Sequence, residues 1–171
     1  MAKKILVKDL LFVSKSHKDT LDYLAAGASL VARTGADIKK LRIKAASDRL
    51  SLAASFLKEA KALSKGAGLR RTVISRAYYA MYHAARAVTF LSFGGDDHEQ
   101  HTVLPSKLPL DFPDAKQYQN LLKNARFERN RADYDPYPRK DEDFSGAAST
   151  LLADAESIVS RARKYIRAKS F

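Results

Sequence analysis

The 171 residues contain no cysteine, which removes disulfides and thiolate zinc sites from consideration and fits a reducing, cytoplasmic setting. Long apolar runs are missing as well. No stretch approaches the roughly 20 residues that a bilayer-spanning helix needs, so no membrane partner is expected. In the N-terminal MAKKILVKDLLFV, Lys8 and Asp9 interrupt the continuous apolar core that a signal peptide requires. Glycine-rich phosphate loops of the Walker or dinucleotide type are absent. No short turn leads into a recognition helix of the kind that reads DNA. Strand-like alternation is confined to Lys4–Val13, and there is neither an internal repeat nor a low-complexity tract. Acidic charge is scarce: 19 Asp+Glu stand against 31 Lys+Arg, a net +12 that favours polyanionic partners.

The pattern that is present has the helical period. Ile74, Ala77, Tyr78, Met81, Ala84, Ala85, Val88 and Leu91 follow the three-and-four spacing that puts side chains on one helix face. An earlier segment, about 40–64, repeats it through Leu41, Ala45, Leu52, Phe56, Ala60 and Leu63, and Lys65-Gly66-Ala67-Gly68 stops it. A last segment opens on Asp141-Glu142-Asp143, runs through Phe144, Ala148, Leu151, Ala155, Ile158, Ala162 and Ile166, and ends among basic residues. Its acidic start and basic finish suit the helix dipole. A shorter helix near 18–33 contains Gly27, which weakens it. Gly94-Gly95 with Pro105, Pro109 and Pro113 forbid a long helix across 94–113, leaving one long connection of the sort that often carries function. These elements predict an all-α, up-and-down bundle of four to five helices in a single domain over 1–171. The basic segment at the start, with Lys3, Lys4, Lys8, Lys15 and Lys18, reads as a solvated tail.

Helix 74–92 carries a second stripe opposite Met81, made of Arg76, Tyr79, His83, Arg86 and Phe90. Either the helix is buried on both sides, or this stripe is a dimer face or groove wall, where aromatics beside arginine belong. The helix expected at about 114–134 has Tyr118, Leu121, Leu122, Ala125 and Ala132 as its apolar face. Arg129 projects close to that face, flanked by Arg126 and Asp133. Arg129 with Asp133, and Arg126 with Asn130, are four residues apart and share a strip along the last turns. The plain alternative is a structural ion pair at a helix end.

Two stretches carry a family resemblance. Ser75-Arg76-Ala77-Tyr78-Tyr79-Ala80-Met81-Tyr82-His83-Ala84-Ala85-Arg86-Ala87 resembles the second-helix signature of HEPN-domain proteins. Ala125–Asp135, with its arginines and Ala132-Asp133-Tyr134, resembles their later motif helix. The pattern extends from about Arg49 to Ala168 and leaves the first 40 residues outside as an N-terminal extension; His101 falls in the connection where many relatives place a histidine. The resemblance implies a four- or five-helix bundle, commonly a homodimer, often in toxin–antitoxin or defence systems beside a nucleotidyltransferase-type partner. Many relatives are metal-independent endoribonucleases, needing no cofactor, whose motif is Arg, four to six residues, then His. Here Arg126 followed by six residues reaches Asp133, and Arg129 followed by four reaches Tyr134, so neither spacing delivers a histidine.

Metal-free RNA cleavage needs a base for the 2′-hydroxyl, an acid for the leaving oxygen, and cations for the charged phosphorane. Arg126 and Arg129 supply suitable cations. Asp133, paired with an arginine, is a poor proton carrier near neutrality, and a phenol such as that of Tyr134 ordinarily keeps its proton. His83 and His101 are the imidazoles left to stand in, although lone histidines on a bundle face are commonly structural. Two classes of function follow. One is RNA or nucleotide binding, with or without cleavage, in a groove lined by Arg126, Arg129, Asn130, Asp133 and Tyr134 and bordered by Arg76, Tyr79, His83, Arg86 and His101. The other is a non-catalytic adaptor that uses the same groove for a protein partner. A metal centre is not expected: His98 and His101 beside Asp96, Asp97 and Glu99 have no recognised ligand spacing.

Overall fold

The computed structural model describes residues 5–169, in which all regular structure is helical. Six α-helices occur among them: α1 (Val7–Lys15), α2 (Lys18–Thr34), α3 (Ile38–Leu63), α4 (Arg70–Phe93), α5 (Ala115–Tyr134) and α6 (Ser145–Lys169). Single 3-10 turns lie at Leu104–Lys107 and Asp141–Phe144. The chain divides into two compact units, one ending at Leu41 and one starting at Arg42.

In the first unit, the segment with strand-like alternation is helical from Val7 onward. Its Lys4 lies outside the described residues. The Asp9 carboxylate accepts the Leu6 N–H at 3.1 Å and so starts α1, a local bond that outweighs a short alternating pattern. Gly27 does not interrupt α2, which ends where Gly35 takes the left-handed conformation, φ +66°. Neither helix buries a residue.

The second unit is the bundle. α4 is its central rod, with twelve buried residues that include five alanines, Ala77, Ala80, Ala84, Ala85 and Ala87. Small side chains on several faces let neighbouring helices approach closely, and a helix buried nearly all round belongs at the centre of a bundle. α6 lays Ala148, Leu151, Ala155, Ile158, Ala162 and Ile166 against the core, the stripe expected from its period. α5 contributes Tyr118, Leu122, Ala125 and Ala132.

Two expectations are corrected. The buried stripe of α3 is Ala46, Leu50, Ala53 and Ala60, whereas Ala45 is exposed and Leu52 is 45% exposed. Apolar residues lie on more than one side of this helix, and alanine permits the closest approach to the core, so Ala46, Ala53 and Ala60 set the face together with Leu50. The acidic run 141–143 does not open α6 either. It forms the preceding 3-10 turn, and the Asp141 carboxylate accepts the N–H groups of Arg70 at 2.6 Å and Arg71 at 3.1 Å. The N-terminus of α4, preceded by Leu69 with no capping side chain, thus takes its cap from a residue seventy positions later.

The long connection after α4 is anchored along its length. Gly94, φ +77°, ends the helix, and Leu104, Pro105, Leu108 and Phe112 are buried. The Phe112 ring packs edge-on against Tyr118 and Tyr165, with centroids 5.7 and 5.4 Å apart.

Candidate functional site

Three tyrosines and a histidine of α4 form two pairs at helical spacing. Tyr78 and Tyr82 turn into the bundle, while Tyr79 and His83 sit half-buried one position further round. One neighbour covers the second pair. Phe56 of α3 stacks on His83, centroids 5.4 Å apart and planes 6° apart, and also meets Tyr79 at 5.5 Å. Burial holds the His83 imidazole down at about 4, helped by the charges of Arg49, Arg86 and His101. It is therefore neutral at pH 7, and its buried Nδ1 has no hydrogen-bond partner among the described residues.

Arg129 reaches Tyr79 from α5. Its Nη2 donates to the Tyr79 hydroxyl at 3.0 Å, and its Nη1 donates to the Asn130 side-chain oxygen at 3.2 Å. The guanidinium lies 5.6 Å from the Tyr79 ring centroid and 5.1 Å from that of Tyr134. Nε stands 2.8 Å from the Asp133 carboxylate but makes no hydrogen bond, so this contact is an ion pair with the acceptor off the N–H direction. Both partners are largely shielded, at 19% and 26% side-chain exposure, so solvent screens the pair less than a surface one. Arg126 makes no ion pair among the described residues. With Lys123, Phe127 and Asn130 it lines a depression of about 210 Å³.

His101 comes to the same place from the connection. Its ring stacks on Tyr82 at 4.1 Å with 13° between planes, and its Nδ1 is hydrogen-bonded to the Tyr78 hydroxyl. Burial lowers its pKa, as do the charges of Arg129, Arg126 and Arg86. Tyr82 holds the approach to this stack by donating to the Glu99 carbonyl. The adjoining turn is pinned by Asp96, whose carboxylate is engaged by Arg86, Nε to Oδ1 at 2.8 Å, and faces Arg49 at 3.5 Å. The Arg86 hydrogen bond keeps that carboxyl below its usual range.

Of the residues singled out in the sequence, Arg129 therefore joins Tyr79, Asn130, Asp133 and Tyr134, His101 packs edge-on beside Tyr79, and Arg126 shares its depression with Asn130. Three lie elsewhere. Arg76 pairs with Glu59 at 3.4 Å and covers the Phe56 ring, His83 is packed under Phe56, and Arg86 is committed to Asp96. Sequence reasoning missed Arg71, Tyr78, Tyr82 and Lys123. Arg71 donates to the carbonyls of Ala132 at 2.7 Å, Asp135 at 2.8 Å and Pro138 at 2.7 Å, and lies over the Phe144 ring at 4.2 Å. A cation among the last carbonyls of α5 complements the helix C-terminus and fixes where Arg129, Asp133 and Tyr134 stand. Its only sequence signal is an arginine pair two residues before the buried Val73-Ile74 run.

A helical bundle whose central helix offers tyrosines to an arginine strip on its neighbour defines a class of small all-α domains. The model of the HEPN domain matches residues 46–165, and the chain belongs to that family. No curated protein matches the chain.

Proposed function

We propose that this HEPN domain binds the phosphates of RNA or a nucleotide on the surface formed by Arg126, Arg129, Asn130, Tyr79 and His101, with metal-independent cleavage weak or lost. The observation that carries this reading is the state of Arg126 and Arg129. Among the described residues Arg126 has no anionic partner and lines an open depression, while Arg129, paired with Asp133, spends one donor each on Tyr79 and Asn130; the uncommitted guanidinium of Arg126 and the remaining donors of Arg129 suit phosphate oxygens. Among the described residues, the carboxylate and the imidazoles closest to them are engaged elsewhere. Asp133 is held by Arg129, His83 is packed under Phe56, and the Nδ1 of His101 is taken by Tyr78. Cations without a proton carrier hold a phosphate ester and leave it intact.

A toxin–antitoxin or defence role, a cytoplasmic setting and a homodimer agree with this reading. The adaptor alternative, a non-catalytic module paired with a nucleotidyltransferase-type protein, draws on one further observation: Phe127 and Tyr134, 61% and 69% exposed, flank the arginines. Binding of a labelled single-stranded RNA to the wild type and to Arg126→Ala and Arg129→Ala, with cleavage followed in excess chelator, separates the two. Tight binding lost in both variants with intact RNA supports the proposal. Equal binding in all three proteins refutes it, and cleavage that survives chelator but not Arg129→Ala overturns its second half.

A further inference from the structure

A furrow between α3 and α6 holds two depressions. The first, about 340 Å³, takes Ser145, Ala148, Ser149 and Leu152 from α6 and Ser64 from just past the end of α3. The second, about 370 Å³, takes Glu156, Val159, Ser160 and Arg163 from α6, facing Leu57, Lys58 and Lys61 of α3. On α6 these residues follow one another in steps of three and four, which is a single helix face, and the numbers on the α3 side fall as those on α6 rise. The depressions are therefore successive stretches of one trough between antiparallel segments, roughly 27 Å from Ser145 to Arg163 at 1.5 Å per residue. We propose that this furrow seats an acidic amphipathic helix of another protein. It shares no residue with the arginine strip of α5 and stands or falls apart from phosphate binding.

The lining decides what fits. Its floor is apolar: Val159 is buried, and Leu57 and Leu152 pack partly buried against the core. Four cations, Lys58, Lys61, Arg70 and Arg163, line it against the single carboxylate of Glu156. Lys58 and Arg163 are exposed and make no ion pair among the described residues. Lys61 spans the furrow to Glu156 at 2.9 Å with both side chains half exposed, a contact weak enough for a visiting carboxylate to exchange. A helix of about 18 residues fills the length, laying apolar side chains at i, i+3, i+4 and i+7 on the floor and flanking carboxylates against the cations. A nucleic acid strand has less to hold, because neither depression has an aromatic lining residue on which a base could stack. A second copy of this chain would bring its own net +12 to a basic surface.

The test uses the full chain and three labelled synthetic peptides of about 18 residues, the length set by the helical rise. One has leucines along one face with glutamates beside them, one carries lysines in place of the glutamates, and one is the glutamate peptide broken by a central proline. Fluorescence anisotropy should show the glutamate peptide binding about tenfold more tightly than either of the others, the scale of two exposed ion pairs. Backbone amide shifts should change at Lys58, Lys61, Val159 and Ser160 and stay put at Arg126 and Asn130. The double variant Lys58→Glu with Arg163→Glu should weaken the glutamate peptide by about tenfold, and its melting temperature shows whether it is folded. Glu156→Gln removes the competing carboxylate and should strengthen binding by up to about fivefold, a gain that misfolding cannot produce. No binding of the glutamate peptide overturns the proposal. So do equal binding of the lysine peptide, shift changes centred on Arg126, or unchanged affinity in both variants. Self-association of the wild type that is lost in the double variant gives the furrow to a second copy, and single-stranded RNA binding lost there but kept in Arg126→Ala gives it to RNA; either result also overturns the proposal.

Discussion

The Arg71 guanidinium donates to the Ala132 carbonyl at 2.7 Å, tying the first turn of α4 to the last turn of α5. With the Asp135 and Pro138 carbonyls on the same fork, one side chain closes the C-terminus of the helix that carries Arg129. Arg71→Ala should destabilise the domain by about 2–3 kcal/mol, since it removes charge-assisted bonds and leaves carbonyls unpaired. Urea denaturation measures this. Arg71→Lys should recover only part of the loss, because an ammonium cannot address three carbonyls from one plane. Equal stability of all three proteins would show that water replaces the clamp without cost.

The neighbouring contact gives a smaller effect. Asp141→Ala strips the cap from α4 and should cost about 1 kcal/mol, with Asp141→Asn retaining a good part of it. The same denaturation experiment reads both variants. A loss as large in Asp141→Asn as in Asp141→Ala would mean that charge, acting on the helix dipole, outweighs the hydrogen bonds to Arg70 and Arg71.

These two contacts mark where reading the chain from its sequence stops. Period and glycine placement are local properties, and they were enough for α4, α5, α6 and the long connection, because Ile74 to Val88 repeat at helical spacing and Gly94 ends the run. On α3 the same reasoning caught Phe56, Ala60 and Leu63 but misplaced Ala45 and Leu52, since closeness of packing there favours Ala46 and Ala53. The site divides in the same way. Arg129 and Asp133 are neighbours on one helix, so their ion pair followed from spacing alone. Arg71 with Pro138, Tyr78 with His101 and Asp141 with Arg70 join residues from 23 to 71 positions apart, and no periodicity carries such pairings. The stripe opposite Met81 illustrates both: its residues share a helix face, yet α3 covers Arg76 and His83 with Glu59 and Phe56 and leaves only Tyr79 to meet Arg129.

Arg126 provides the test of electrostatic binding. If its side chain meets one phosphate, Arg126→Ala should weaken single-stranded RNA binding uniformly across sequences. The slope of log affinity against log salt should fall by about 0.7, the value for one contact on a single strand. Affinities measured over a salt series give the slope directly. A lowered affinity with an unchanged slope would place Arg126 outside the phosphate contacts and assign its effect to the shape of the depression it shares with Lys123 and Phe127.

His83 should make stability depend on pH in a definite window. Its folded pKa is lowered to about 4, so between that value and the ordinary 6.5 the unfolded chain binds a proton that the folded domain does not. Stability is therefore fully present above pH 6.5, falls as the pH drops toward 4, and gains no further dependence from this group below that. The groups facing the ring act in the same direction: Arg49 and Arg86 repel a protonated imidazole, and His101, itself lowered, adds a weaker slope of its own. The Asp96 and Asp111 carboxyls, both lowered, act below the window, where their unfolded forms take up protons. His83→Phe keeps the flat contact with Phe56 and removes the titrating group. The variant should match wild type at pH 7.5 and flatten the decline between pH 6.5 and 4, while His101→Ala removes only the smaller share. Unfolding midpoints across that range decide it, and parallel curves for wild type and His83→Phe would show that solvent reaches His83 freely enough to let it titrate as an exposed histidine does.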